Sequence, residues 1–279
     1  MPNFNLDKLI SQLNKIKKQL DYIDKTPAEI IALKPYEFDN QLTELRKTLT
    51  STPFIELLGE TSLYNEIKNF CEQEQQKVNK FKEEFHFGLG TQLKELFAGF
   101  GELKGQLPVL RIKFYTIRFD FSNGETIIWW GPEKEMVKKV SLEPETICQT
   151  IKSFDDALIV FWENSVDFTN IVKSAYQRYI KINNLESGTK IGLLEILTEC
   201  VMLMQSQTFK SDPTKSHFTD YSRIQYSFDL FKMKTTAPQQ NFQLTVATFA
   251  ITEDRTKSLW VPDNEQGDGT YYQSIAFKE

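Results

Sequence analysis

The sequence predicts an α+β fold: an N-terminal coiled-coil-like helical hairpin or bundle, a central β-hairpin with helices, and a C-terminal winged-helix-like group of helices plus a hairpin. Three observations carry that reading. Leu6, Leu9, Leu13, Ile16, Leu20 and Ile23 form a seam at heptad spacing. Residues 109–130 are rich in β-branched and aromatic side chains around Asn123-Gly124. Three helix-period stretches between 168 and 233 are followed by strand-like segments. The domain division that follows is a helical arm, 1–106, and an α+β part, 107–279, with 165–262 winged-helix-like.

In the arm, Lys and Gln fill the positions between the seam residues, as on a solvated helix face, and Pro27 stops the helix. A second seam, Phe38, Leu42, Leu45 and Leu49, lies between Pro35 and Pro53. A third helix fits Leu63, Ile67, Phe70, Val78, Phe81 and Phe85, its stripe broken at Glu74. The first seam serves equally well for packing inside the chain or as a dimer or partner surface. Residues 86–107 hold five glycines. They lack the strand-to-helix setting and the GK[ST] of a phosphate loop, so they read as helix caps and a hinge.

In the central part, Asn123-Gly124 is the signature of a two-residue type I′ turn. That register places Ile117, Phe119, Ile128 and Trp130 on one apolar face and Arg118 beside Trp129 on the other. Upstream, the apolar phase is carried by Leu110, Ile112 and Phe114, one residue out of step, which predicts a bulge or break near Tyr115. Glu143-Pro144 opens a helix that continues through about Trp162. Helices then fit 168–182, 191–205 and 219–233, and strands 242–251, 259–261 and 271–277.

Composition narrows the function. The 279 residues are 40% hydrophobic, include 22 Phe, and carry a net charge of −5. A core of ordinary size is available, and no overall basic field draws nucleic acid or anionic lipid. No basic region followed by an apolar stretch opens the chain, and Leu193–Met204 is interrupted by Glu195, Thr198 and Glu199. A secretory signal and a membrane span are therefore not expected. Cys71, Cys148 and Cys200 are far apart, without zinc or disulfide spacing, and read as buried hydrophobes in a reducing compartment, the cytoplasm.

Neither His86 nor His217 has a neighbouring His or Cys at a metal-binding spacing, and no GxSxG or HExxH motif is present. Asp120 with Glu133 and Glu135 resembles a nuclease acid cluster only superficially, because the lysine it would need at 135 is absent. Residues 262–269, PDNEQGDG, have cation-type oxygens without a Ca²⁺-loop pattern and read as a turn. No cofactor, metal or catalytic residue is assigned, and the balance leans away from an enzyme.

Two functions follow. The leading one is a non-enzymatic subunit or adaptor of an intracellular assembly, docking through Leu6, Leu9, Leu13, Ile16, Leu20 and Ile23 and through a C-terminal module. The alternative is a winged-helix DNA-binding protein, dimeric through the N-terminal heptads. Residues 165–234 hold 9 basic and 7 acidic side chains, the only stretch with a positive balance. In that reading Arg223 and Gln225 face the groove, and Arg255 and Lys257 brace phosphates from the wing.

Overall fold

The computed structural model describes residues 6–51, 55, 61–164, 167–236 and 242–278, and the backbone alone for 6–9. It is α+β, mostly helical, with antiparallel sheets. The chain divides into two compact units. One comprises Met1–Leu96 with Phe119–Thr126 and Ser141–Glu145; the other comprises Phe97–Arg118, Ile127–Val140 and Thr146–Glu279.

The first unit is built on helices α1 (Leu6–Lys25), α2 (Ala28–Leu33), α3 (Pro35–Leu49) and α4 (Ser62–Leu96). Pro35 stands in the first turn of α3, where a missing N–H costs nothing. Phe38, Leu42, Leu45 and Leu49 are all buried, as their spacing predicts. They share a core with Ile16 and Ile23 of α1, Ile31 of α2, and Cys71 and Val78 of α4, with Leu20, Ile67, Phe70 and Phe81 packed at its edge. The first seam is thus divided. Its Ile16, Leu20 and Ile23 are turned inward, whereas Leu13 is 39% exposed beside an exposed Ile10. The side chains of Leu6 and Leu9 lie outside the described residues.

The helix expected to end before the glycine-rich stretch instead runs 35 residues, through Gly88 and Gly90. Glycine costs about 1 kcal/mol in a helix interior. The apolar row continues past it through Phe85, Leu89 and Leu93, with the last two buried, and that burial outweighs the cost. Capping falls to Gly99, whose φ of +79° is open to glycine with little penalty.

The second unit contains most of a five-stranded sheet of sequential order: β1 (Lys104–Gln106), β2 (Val109–Ile112), β3 (Tyr115–Asp120), β4 (Glu125–Trp130) and β5 (Glu135–Ser141). The expected break near Tyr115 is a chain reversal. Ile112 pairs with Tyr115 and Leu110 with Ile117 across a two-residue turn at 113–114, where Lys113 has φ +45°. The reversal puts even-numbered Leu110 and Ile112 on the same buried face as odd-numbered Tyr115 and Ile117, which explains the one-residue phase change.

Ile117, Phe119, Ile128 and Trp130 are all buried, as predicted. The turn beyond them differs from expectation. It spans four residues, 121–124, and only Gly124 has positive φ. The Asp120 carboxylate captures it by accepting from the Asn123 backbone N (3.1 Å), Asn123 Nδ2 (2.7 Å) and Ser122 Oγ (3.1 Å), a local closure that a two-residue turn could not offer. Arg118 forms a bidentate pair with Glu133 at 2.6 and 2.7 Å rather than stacking on Trp129, because a charged partner in fork geometry outcompetes a ring face.

Helices α5 (Pro144–Asn164), α6 (Phe168–Ile182), α7 (Leu193–Met204), the short α8 (Gln207–Ser211) and α9 (Arg223–Thr236) follow. A second sheet is organised around one long strand, β9 (Gly269–Phe277), paired with β6 (Ile191–Gly192), β7 (Phe242–Val246) and β8 (Leu259–Pro262). Tyr272 pairs with Val246 on one side and Leu259 on the other, so β7 and β8 flank β9 on opposite edges. A strand–turn–strand wing would need β7 and β8 to pair with each other, so the expected hairpin does not form. The strand expected over 242–251 stops at Val246, and 249–252 make a helical turn, α10 (Phe249–Thr252), on the Thr248 carbonyl.

Helix α9 is buried on nearly all sides. At its middle, Trp130 Nε1 of β4 donates to Ser227 Oγ at 2.9 Å, and Ser227 Oγ donates to the Trp260 carbonyl of β8 at 2.6 Å. The Trp130 and Trp260 rings meet edge to face with centroids 5.8 Å apart. The Trp260 ring fits only because glycine stands on either side: a Cβ at Gly131 or Gly269 would come within 2.5 Å of it. Gly131→Ala should therefore cost roughly 2–3 kcal/mol through overpacking, added to the strain of its φ of +62°. Gly124→Val, in open space, should cost only about 1 kcal/mol from positive φ. Urea unfolding of the two variants checks the ranking; equal losses would contradict the packing account.

Candidate interaction surfaces

The four residues expected at a nucleic-acid surface are placed in the second unit, and their polar groups are engaged within it. Glu135 of β5 is buried and accepts from Arg223 Nε at 2.7 Å and from Arg255 Nε and Nη2 at 3.0 and 2.5 Å. Arg223 also donates to the Ser258 carbonyl at 3.0 Å. Burial alone would raise the Glu135 pKa; the hydrogen bonds and charge of Arg255 and Arg223 outweigh it and hold the carboxyl below its ordinary range. Lys257 pairs with Asp254 at 3.0 Å. Gln225 is buried and donates to Asp229 Oδ1 at 2.8 Å and to the Leu158 carbonyl at 3.3 Å. Arg223→Ala should leave Glu135 half-compensated and lower stability by on the order of 3 kcal/mol, with Glu135→Gln in the same background restoring part of it. Chemical denaturation of the single and double variants measures this; an Arg223→Ala protein as stable as the parent would mean that the pair carries no structural weight.

Asp229 lies deeper. It is fully buried, and its hydrogen-bond partners are neutral: Tyr221 Oη donates at 2.6 Å and Gln225 Nε2 at 2.8 Å. Burial raises its pKa to about 7, and the two donors only temper the rise. Burial likewise raises the pKa of Cys200, to about 12, and that of Tyr226. The folded chain therefore binds the Asp229 proton more tightly than the unfolded chain does. Its contribution to stability is complete below the ordinary Asp range and is lost as pH rises through about 7. Relative to Asp229→Asn, the parent protein should lose roughly 3 kcal/mol between pH 5 and pH 8. Melting curves of both proteins across that range test this, and a constant difference would contradict it.

His217 makes loop hydrogen bonds, with Nδ1 3.0 Å from the Asp212 carbonyl oxygen. Residues 262–269 close on themselves through Asn264 and Asp268, as a Gly- and Asx-rich turn does. Among the described residues, no group of three metal-ligating side chains forms.

The first unit holds a feature that the sequence did not announce. The Tyr36 hydroxyl of α3 and Nε2 of His86 on α4 share a hydrogen bond. Its ring stacks on Phe121 at 4.8 Å, His86 lies 4.3 Å from the same Phe121 ring, and Phe85 meets Tyr36 and Phe121 edge-on. Burial, reinforced by Asp39, raises the Tyr36 pKa to about 12, and burial with Lys82 lowers that of His86. Both groups are thus neutral near pH 7. Beside this cluster opens a cavity of about 460 Å³, walled by Leu33, Tyr36, Phe85, Leu89, Phe121 and Leu142 among others. Only the isolated His86 was visible in the sequence, because its partners stand 50 residues before it and 35 after it. No known protein-family model, curated protein or solved structure matches the chain.

Proposed function

We propose that this chain is a non-enzymatic subunit or adaptor of an intracellular, cytoplasmic protein assembly, and that it docks its partner through the helices of its N-terminal unit. The supporting observation is the outer surface of α1 and α2. Their inward residues, Ile16, Ile23 and Ile31, are fully used in the unit's core, yet Ile10, Leu13, Tyr22, Ile30 and Leu33 face solvent, Leu33 at 70% exposure. Apolar pairs at i, i+3 on adjacent helices, Ile10 with Leu13 and Ile30 with Leu33, are the anchors by which a helical surface engages another protein.

The alternative, DNA binding through Arg223, Gln225, Arg255 and Lys257, requires guanidinium and ammonium groups to leave their carboxylate partners first, which weakens it. It would appear as a salt-sensitive shift of random duplex, lost when the three basic residues become Ala.

The docking proposal is tested by Ile10→Lys with Leu13→Lys, and separately by Ile30→Lys, with Leu33 left intact because it also walls the cavity. Because these positions are already exposed, the melting temperature should stay within about 2 °C. Stoichiometric association should be lost, read as a lower sedimenting mass for a self-associating chain or as loss of a co-purifying subunit. A parent protein that sediments as a monomer and carries no stoichiometric partner would overturn the proposal.

A further inference from the structure

The cavity of the first unit is a separate matter from docking, because it is concave and its walls are graded in polarity. Its charged lining residues, Lys34, Glu37 and Glu143, are all exposed at the rim, and Lys34 pairs with Glu37 at 3.1 Å. Deeper, the walls are the half-buried rings of Tyr36, Phe85 and Phe121 and the buried Leu89. Its volume falls within the ~300–1,000 Å³ of small-molecule sites, which are apolar inside with few polar groups.

A second observation concerns Gly88, which lines the cavity from the interior of α4. A Cβ there would meet no atom within 4 Å, and the residue has no positive φ. Neither backbone geometry nor close packing requires glycine at this position, and a side chain there has open space at the cavity wall. Gly90, also in α4 and also with open space at its Cβ, is not part of the lining and supplies a matched control.

We infer that this cavity is a binding site for a small, uncharged aromatic molecule. Its ring packs against Tyr36, Phe85 and Phe121 in the offset and edge-on arrangements that aromatic groups favour. A charged group would have to be stripped of water against those walls, so any polar atom of the ligand stays at the rim.

The test uses the purified full chain and the neutral fluorescent probe N-phenyl-1-naphthylamine. Titration should give saturable, one-site binding with a Kd of about 1–10 μM, an affinity ordinary for a ligand of that size. Gly88→Leu, which favours the helix while filling the cavity, should weaken binding at least tenfold without lowering the melting temperature. Gly90→Leu should bind like the parent. The anionic congener 1-anilinonaphthalene-8-sulfonate should bind at least tenfold more weakly. Non-saturable binding by the parent, or unchanged binding by Gly88→Leu, overturns the site; equal affinity for the anionic probe overturns the assignment to uncharged ligands. Because the chain is assayed alone, failure here leaves the docking proposal standing, and loss of partner association leaves this one standing.

Discussion

One hydroxyl joins the parts of the larger unit. Ser227 lies on a helix buried nearly all round, and it accepts from the indole of Trp130 on the first sheet while donating to the backbone of Trp260 on the second. Each of these polar groups would be costly if buried alone, and each is satisfied only when both sheets are seated on α9. The surrounding geometry follows. Two glycines flank the Trp260 ring, Phe114 and Phe228 close on Trp130 edge to face or tilted, and Gly131 ends β4 by donating to the Phe114 carbonyl. The serine hydroxyl both accepts and donates in a small space; alanine would orphan two partners at once.

The same unit handles its buried carboxylates in two ways. Asp155 is buried against a lysine and a tyrosine, with Lys113 Nζ at 3.2 Å and Tyr115 Oη at 3.0 Å, so its charge is compensated. Lys113 is thereby bound to two tasks, forming the tight turn at positive φ and supplying that ammonium group. Asp229 receives neutral donors instead, and the proton becomes its compensation. One buried carboxylate is balanced by an ammonium group and the other by a proton, and burial leaves the ion pair only weakly screened by salt.

What the sequence made legible was local. Alternation in 115–130 located the buried face Ile117, Phe119, Ile128 and Trp130 because period-two burial needs no distant information. The spacing in α3 located Phe38, Leu42, Leu45 and Leu49 for the same reason. Errors arose where a neighbour decided the outcome. Asp120 turned a two-residue turn into a four-residue loop, and the row through Leu89 and Leu93 carried α4 past two glycines. The wing was lost to β9, which lies after both expected wing strands and takes each onto its own edge. Sites were harder still: Glu135 meets arginines 88 and 120 residues away, and Tyr36 meets His86 and Phe121 only after α3, α4 and the hairpin loop have come together. No spacing rule reaches so far.

The distribution of tryptophan has an optical consequence. All four, Trp129, Trp130, Trp162 and Trp260, belong to the second unit, while the first unit's absorbing rings are tyrosine and phenylalanine. Indole emission therefore reports the second unit alone, whereas helical ellipticity draws on the helices of both units. Monitoring one sample by both signals sets the second unit's transition against that of the whole chain without any added label. Coincident transitions would mark one cooperative molecule, and separated transitions would mark two independently melting ones.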